Sequence, residues 1–388
     1  MKIAIDGRSL LDERLTGVGT YTLNLIHALA ESAPEDEFLV FISGTFLTRS
    51  RVPIIKAPNI KLVEAKLPNR LLTLILMLPF SPVTLDAFLP TYVDAWIFPN
   101  HHVIRTRRPY AFTVHDLSFL HLPKFFSLKD KVARGIQNIP HLAKQAALIL
   151  TPSRATAHDV KSLLGIESEK IAITPLGLDH TKFVPREQPS DRTFKAAYDL
   201  NRPYILAAAT LESRKNYESA IEAYDAFRAR GGASLPLVLM GKKGFGFERI
   251  KKTAQSAMFA DDIRFLGFVP EKHKPALFRG ATVFLFPSFY EGFGLPVLEA
   301  MASGVPVITS FTSSLPEMSG EAALYIDPFN VEDLTQALLV MLDQQDGPTL
   351  QAQQTKKGVE KAKQFTWEKT AQETLKALRA VIRPLNLR

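Results

Sequence analysis

Short apolar runs rich in β-branched residues recur along this chain, each followed by a longer stretch with helical spacing. That alternation predicts parallel strands joined by crossover helices. In the first half the expected strands are Lys2–Ile5, Phe38–Ile42, Lys61–Val63, Ala95–Phe98, Ala111–Val114 and Leu148–Thr151. Amphipathic helices are expected over Tyr21–Ser32 and Leu128–Ile139, the second with Ser127 placed as its cap. The alternation restarts with Tyr204–Ala208, Leu237–Met240, Ile263–Leu266, Val283–Phe286, Val305–Thr309 and Ala323–Ile326. Between the two series, Val184–Arg192 lapses into charged and proline residues and reads as a linker. The expected architecture is α/β: two doubly wound parallel-sheet domains, residues 1–185 and 190–367. Ligands of such sheets lie beyond the carboxyl ends of the strands, so a cleft between the domains is the expected site.

The greasiest run, Leu71–Leu78, is ended by Pro79 and falls short of the roughly 20 apolar residues that span a bilayer. It reads as a buried helix in preference to a membrane-surface contact. The N-terminus turns polar by Asp6, too early for a secretory signal, so a cytoplasmic location is expected. A chain of 388 residues, 46% hydrophobic and 22% charged, has the composition of an ordinary globular protein and not of a disordered one. It contains no cysteine, which excludes disulfides, thiolate metal sites and cysteine nucleophiles. The net charge of +8 favours anionic partners. Nucleic acid is disfavoured among them, because neither a helix-turn-helix signature nor a basic run with interleaved aromatics is present.

The densest chemical signal is Pro287 to Val307. Glu291 falls in a loop at the carboxyl end of an all-apolar strand, and Gly292 and Gly294 let backbone approach a ligand closely. Pro296 suits the first turn of a helix that Gly304 ends. A glycine loop feeding a helix N-terminus offers free N–H groups to an anion such as a diphosphate. Glu291 and Glu299 flank that anion site, Glu299 in the first helical turn, and are suited to accept hydrogen bonds from ribose or sugar hydroxyls. The bland alternative is a helix-capping Glu299 and a solvated Glu291.

The run Tyr-Glu-Gly-Phe-Gly-Leu-Pro-Val-Leu-Glu-Ala-Met-Ala from Tyr290 resembles the retaining glycosyltransferases of family 4, which have the GT-B fold. The resemblance extends over nearly the whole chain. It takes in Asp6-Gly7-Arg8, Thr16 to Tyr21, Thr113 to Leu117, Thr151-Pro152-Ser153 and Thr174 to Asp179. Farther on it takes in Thr210 to Asn216, Phe265 to Val269 and Ser314 to Glu317. It implies transfer of a mannose- or glucose-type sugar from a GDP- or UDP-linked donor to a glycan or lipid-linked acceptor. Catalytic roles are implied for His115, Lys215, Arg214 and Glu291. Donor contacts are implied at Gly17, Gly19, Lys215, Phe268, Val269, Glu291, Gly292, Phe293, Gly294, Leu295 and Glu299. Asp116 and Arg105 fall on the acceptor side.

Local physics bears on several of these positions. A lysine at Lys215, just past the first strand of the second half, can neutralise a diphosphate. Family members often pair it with an arginine a turn earlier, where this chain has Ala209-Thr210, leaving Arg214 as the substitute. Gly17-Val18-Gly19 is not a dinucleotide fingerprint, since Thr22 stands at the third glycine position; the plain alternative is a tight turn before a helix. His115-Asp116 has the composition of an acid–base dyad, or of a positioning histidine beside the donor sugar. No Asp-x-Asp occurs, so no metal is expected on the diphosphate; no cofactor is expected beside the nucleotide-sugar substrate. The resemblance also implies that a helix over 368–388 crosses back to complete the first domain. Peripheral contact with an anionic membrane at its inner face would suit the charge. A GT-B nucleotide-sugar epimerase is the nearest enzymatic alternative.

Overall fold

The computed structural model describes residues 1–12, 15–45, 52, 53, 55, 57–78 and 80–385; Pro79 and residues 386–388 lie outside them. The chain forms two compact units. Unit 1 comprises Met1–Leu117, Leu128–Gly177 and Trp367–Arg388, and unit 2 comprises Ser118–Ser127 and Leu178–Thr366.

Unit 1 holds seven parallel strands: β1 (Lys2–Asp6), β2 (Glu37–Ser43), β3 (Ile60–Ala65), β4 (Ala95–Phe98), β5 (Tyr110–Thr113), β6 (Leu148–Thr151) and β7 (Ile171–Ile173), in the order β3-β2-β1-β4-β5-β6-β7. Inner strands are buried on both faces, which is why β2 reads as the unbroken run Phe38-Leu39-Val40-Phe41-Ile42. β7 escapes a reading by hydrophobic pattern because it is an edge strand of three residues, none fully buried.

Six helices matter below: α1 (Gly17–Ser32), α2 (Asn69–Met77) and α3 (Leu128–Gln137), then α4 (Tyr217–Ala229), α5 (Leu295–Ala302) and α6 (Trp367–Leu385). α6 belongs to unit 1. Its Ala371, Leu375, Leu378 and Ile382 recur at helical spacing and enter one core with Leu25 and Leu29 of α1. α2 departs from the buried helix expected of Leu71–Leu78. Leu72 and Leu76 are buried, but Leu71, Leu74, Met77 and Leu78 are exposed. α3 stops at Gln137, because Asn138 takes a left-handed conformation and starts the next helix.

Unit 2 holds six parallel strands: β8 (Tyr204–Ala208), β9 (Leu237–Met240), β10 (Ile263–Gly267), β11 (Ala281–Phe286), β12 (Val307–Ser310) and β13 (Ala323–Ile326), in the order β10-β9-β8-β11-β12-β13. β12 begins at Val307 and not Val305, since Pro306 has no N–H to give a ladder. Tyr217, Tyr224 and Phe227 of α4 fill the core beneath β8 and β9.

Val184–Arg192 is not the linker its composition suggested. The chain passes between units at Gly177 and Leu178, and the later stretch is packed into unit 2. Asp191 there is buried, opens a helix, and receives both Nε and Nη2 of Arg279, each at 2.7 Å. Ser118–Ser127 also groups with unit 2, where the Phe125 ring stacks on Phe289 with centroids 5.1 Å apart.

Candidate active site

In unit 2 the carboxyl ends of β8 and β11 bring together residues 76 positions apart. After β8, Ser213–Lys215 forms a single 3-10 turn, and Asn216 in the left-handed region starts α4. That tight turn sends two consecutive side chains to one place. Lys215 Nζ donates to Glu291 Oε1 at 2.5 Å, and Arg214 Nη1 lies 3.4 Å from Glu291 Oε2. Arg214 also donates to the Tyr290 carbonyl at 2.5 Å and to Glu212 at 3.0 Å. Ser288 adds a hydroxyl donor to Glu291 Oε1 at 2.6 Å. Glu291, 8% exposed, is thus a buried carboxylate with two cations and a hydroxyl on it. Burial alone would raise its pKa, but Lys215 and Arg214 outweigh that and hold it below the ordinary glutamate value. The Lys215 ammonium is pushed down, by burial first and then by Arg214 beside it, against the opposing pull of Glu291.

The Glu291 loop is braced from behind. Ser313 Oγ accepts from the Glu291 N–H at 2.8 Å, and Ser314 Oγ donates to the Glu291 and Phe293 carbonyls at 2.9 and 2.8 Å. Gly292 and Phe293 are buried with it. Gly294 closes the loop at φ +110, a backbone conformation that strains any residue with a Cβ, and there a Cβ would lie 2.9 Å from Leu315 Cδ2. Leu295 begins α5 and Pro296 sits in its first turn.

Glu299 is therefore in the second turn of α5, not the first, and it does not join the Lys215 cluster. Lys274, which opens the helix after the Phe268–His273 loop, and Glu271, to which Lys274 donates at 2.5 Å, act on Glu299 electrostatically. Burial is the main cause that raises its pKa to about 7, Glu271 adds to it, and Lys274 only partly offsets it. Phe268 and Val269 follow Gly267 at the end of β10, Phe268 exposed and Val269 buried.

The unit 1 candidates form their own cluster. Gly17 and Gly19 are not a loop before a helix but the first turn of α1 itself, with the Thr16 hydroxyl accepting from Gly19 N–H. From that helix the Tyr21 ring meets the His115 ring edge-on, centroids 4.8 Å apart, so α1 and the end of β5 converge. His115 Nε2 is 2.8 Å from the Pro99 carbonyl, which can only accept; the ring is protonated there and Nδ1 keeps its lone pair. Burial lowers its pKa, so it is a neutral imidazole at pH 7. Asp116 follows it and acts on it electrostatically. Arg105 holds the Ser81 carbonyl at 2.6 Å and so anchors a loop. Asp6 and Arg8 form a fully buried two-point ion pair at 2.9 and 2.7 Å.

Sequence reasoning did not assign Ser288, Lys274, Ser313 or Ser314. For Ser314 a signal existed in the Ser-Leu-Pro-Glu stretch, whereas Lys274 has no motif and is found only through the fold. Among the described residues no group of three His, Asp or Glu side chains is placed to hold a metal ion.

Two parallel-sheet α/β units, each with candidate residues at its strand ends, define the GT-B class. Its solved members include sucrose-phosphate synthase from Thermosynechococcus elongatus (TM-score 0.75, 19% identity, 99% of each chain). Another is Anabaena HepE, solved with UDP-glucose (TM-score 0.70, 16% identity, 98% of this chain and 100% of that one). Residues 15–182 match the family described as Glycosyltransferase Family 4, and residues 190–378 the one described as Glycosyl transferases group 1. The chain belongs to the family 4 glycosyltransferases. It is 30% identical over 378 residues to the O-antigen chain mannosyltransferase B of Escherichia coli, covering 94% of this chain and 96% of that protein. It is 23% identical to the O-antigen chain mannosyltransferase RfbU of Salmonella typhimurium, over 82% and 85% of the two chains.

Proposed function

We propose that this glycosyltransferase is a retaining, metal-independent mannosyltransferase that takes its sugar from a GDP- or UDP-linked donor and passes it to a saccharide or lipid-linked acceptor. The sugar is suggested by the names of the relatives, and glucose is the alternative. The observation that carries the reading is the convergence of Arg214 and Lys215 on Glu291 at the strand ends of unit 2. Without donor, Glu291 neutralises the two cations. A donor diphosphate carries more charge and takes its place, freeing the Glu291 carboxylate to accept from sugar hydroxyls. When the bond between the anomeric carbon and the diphosphate oxygen breaks, Lys215 and Arg214 stabilise the charge left on that oxygen. The acceptor hydroxyl attacks from the same face, and its proton passes to the departing phosphate.

Glu299 accepts from the ribose hydroxyls, while Gly292 to Leu295 present backbone to the diphosphate and Phe268 and Val269 border the base. Neutral His115 orients the sugar through Nδ1, with the α1 turn at Gly17 and Gly19 completing the donor contacts and Asp116 and Arg105 on the acceptor side. No helix among the described residues is long and apolar enough to cross a membrane. The enzyme works at the cytoplasmic face, in peripheral contact with the membrane that carries its acceptor.

The test is a screen of GDP- and UDP-sugars with saccharide acceptors, scored by acceptor-dependent release of nucleoside diphosphate. Proton NMR of the product should show the donor's anomeric configuration kept. EDTA should leave the rate unchanged; loss of activity with EDTA, restored by a divalent ion, removes the metal-independent reading. An interconverted nucleotide sugar with no lengthened acceptor would point to an epimerase instead.

A further inference from the structure

α3 buries none of its residues, yet its apolar side chains are segregated. Leu128, Val132 and Ile136 recur every four positions and so form one stripe, with exposures of 78%, 56% and 49%. At 3.6 residues per turn, Lys129 borders the stripe beside Ile136 and Lys131 borders it beside Leu128. Asp130 and Gln137 fall on the opposite side. A surface helix of a globular protein turns such a stripe into its core; this one turns it outward. Elsewhere in unit 1 the exposed face of α2 shows the same feature, and just past it Phe80 is 98% exposed.

We propose that unit 1 docks on an anionic lipid bilayer through α3. The Leu128, Val132 and Ile136 stripe enters the boundary between headgroups and acyl chains, and Lys129 and Lys131 lie against lipid phosphates. An apolar centre with basic flanks on a helix lying flat is what an anionic interface selects. Charge decides against the obvious rival. In a two-fold dimer formed on this stripe, the flanking lysines of one copy would face those of the other. The docking deepens the lipid-linked acceptor reading above and names the residues that hold the enzyme at its substrate's surface. Its test needs no sugar transfer, so either reading can fail without the other.

The experiment is co-sedimentation of the full chain with phosphatidylglycerol–phosphatidylcholine vesicles and with pure phosphatidylcholine vesicles. Binding is expected to the anionic vesicles, to be weak on the neutral ones, and to fall as salt rises. Lys129→Gln with Lys131→Gln should weaken partitioning about fivefold per lysine. Leu128→Asp with Val132→Asp should abolish it, and unchanged melting of that variant shows that it still folds. Failure of the wild-type chain to bind anionic vesicles overturns the proposal, as does undiminished binding by the aspartate variant. A wild-type dimer on gel filtration that the aspartate variant dissolves, without vesicle binding, assigns the stripe to self-association and overturns it equally.

Discussion

Glu291 and Glu299 stand either side of one glycine-to-helix joint, yet they are different chemical groups. Glu291 is clasped by Lys215, Arg214 and Ser288 and held ionised. Glu299, in the second turn of α5, is desolvated with only Lys274 to offset it, and its carboxyl is pushed up to about 7. Spacing in sequence suggested that both carboxylates flank one anion site. It did not convey that one is neutralised by two cations, while burial pushes the other up to about 7. Environment assigns the roles, and each role can be attacked separately.

The largest effect is expected at Lys215. Lys215→Met removes a cation from the leaving group and should lower kcat by about 10²–10³, the cost typical of losing one preorganised donor. Steady-state rates at saturating donor measure it, and a loss confined to KM would contradict the leaving-group role. Glu299→Ala should leave chemistry closer to intact and weaken nucleoside diphosphate binding about ten- to hundredfold, the worth of a hydrogen bond to a charged group. Calorimetric affinity unchanged from wild type would remove Glu299 from the donor site.

The raised Glu299 carboxyl makes the contrast depend on pH. Its folded value of about 7 lies above the ordinary 4.5. Stability linked to it is therefore fully present below pH 4.5 and is lost as pH rises through 7. Ribose hydroxyls donate to the charged form, so nucleotide binding should strengthen about tenfold between pH 6 and 8. Glu299→Gln should flatten both trends, in melting and in affinity. If the variant keeps the slope, another group carries it. The smallest effect is expected of Gly294→Ala, which forces a side chain onto the joint itself and should cost about 1–2 kcal/mol. Thermal melting tests this, and both carboxylates should lose donor affinity together because the turn that spaces them shifts.

The layered plan was legible because doubly wound sheets bury inner strands on both faces and so write continuous apolar runs such as Phe38–Ile42. What was not legible was decided by single tertiary contacts. Val184–Arg192 has a linker's composition, yet one buried partner, Arg279, gives Asp191 a place in unit 2. Gly17 and Gly19 look like a loop, but a Thr16 cap starts the helix ahead of them. Glu291, Lys215 and Glu299 stand out as candidates from their motif and from strand ends, but only the first two meet. That Arg214 turns the same way as Lys215 depends on a 3-10 turn that no periodicity encodes, and the electrostatic pull of Lys274 on Glu299 has no motif at all.

The helix that completes the core around Leu25 and Leu29 comes after the whole of unit 2 in the chain. A ribosome therefore delivers the first sheet long before its cover, while unit 2, apart from ten residues, is made in one stretch. Through that interval the inner side of α1 is an open apolar surface, which makes the nascent chain a client for chaperones and exposes it to mispairing. A premature stop anywhere before Trp367 would leave unit 1 permanently in that unfinished state.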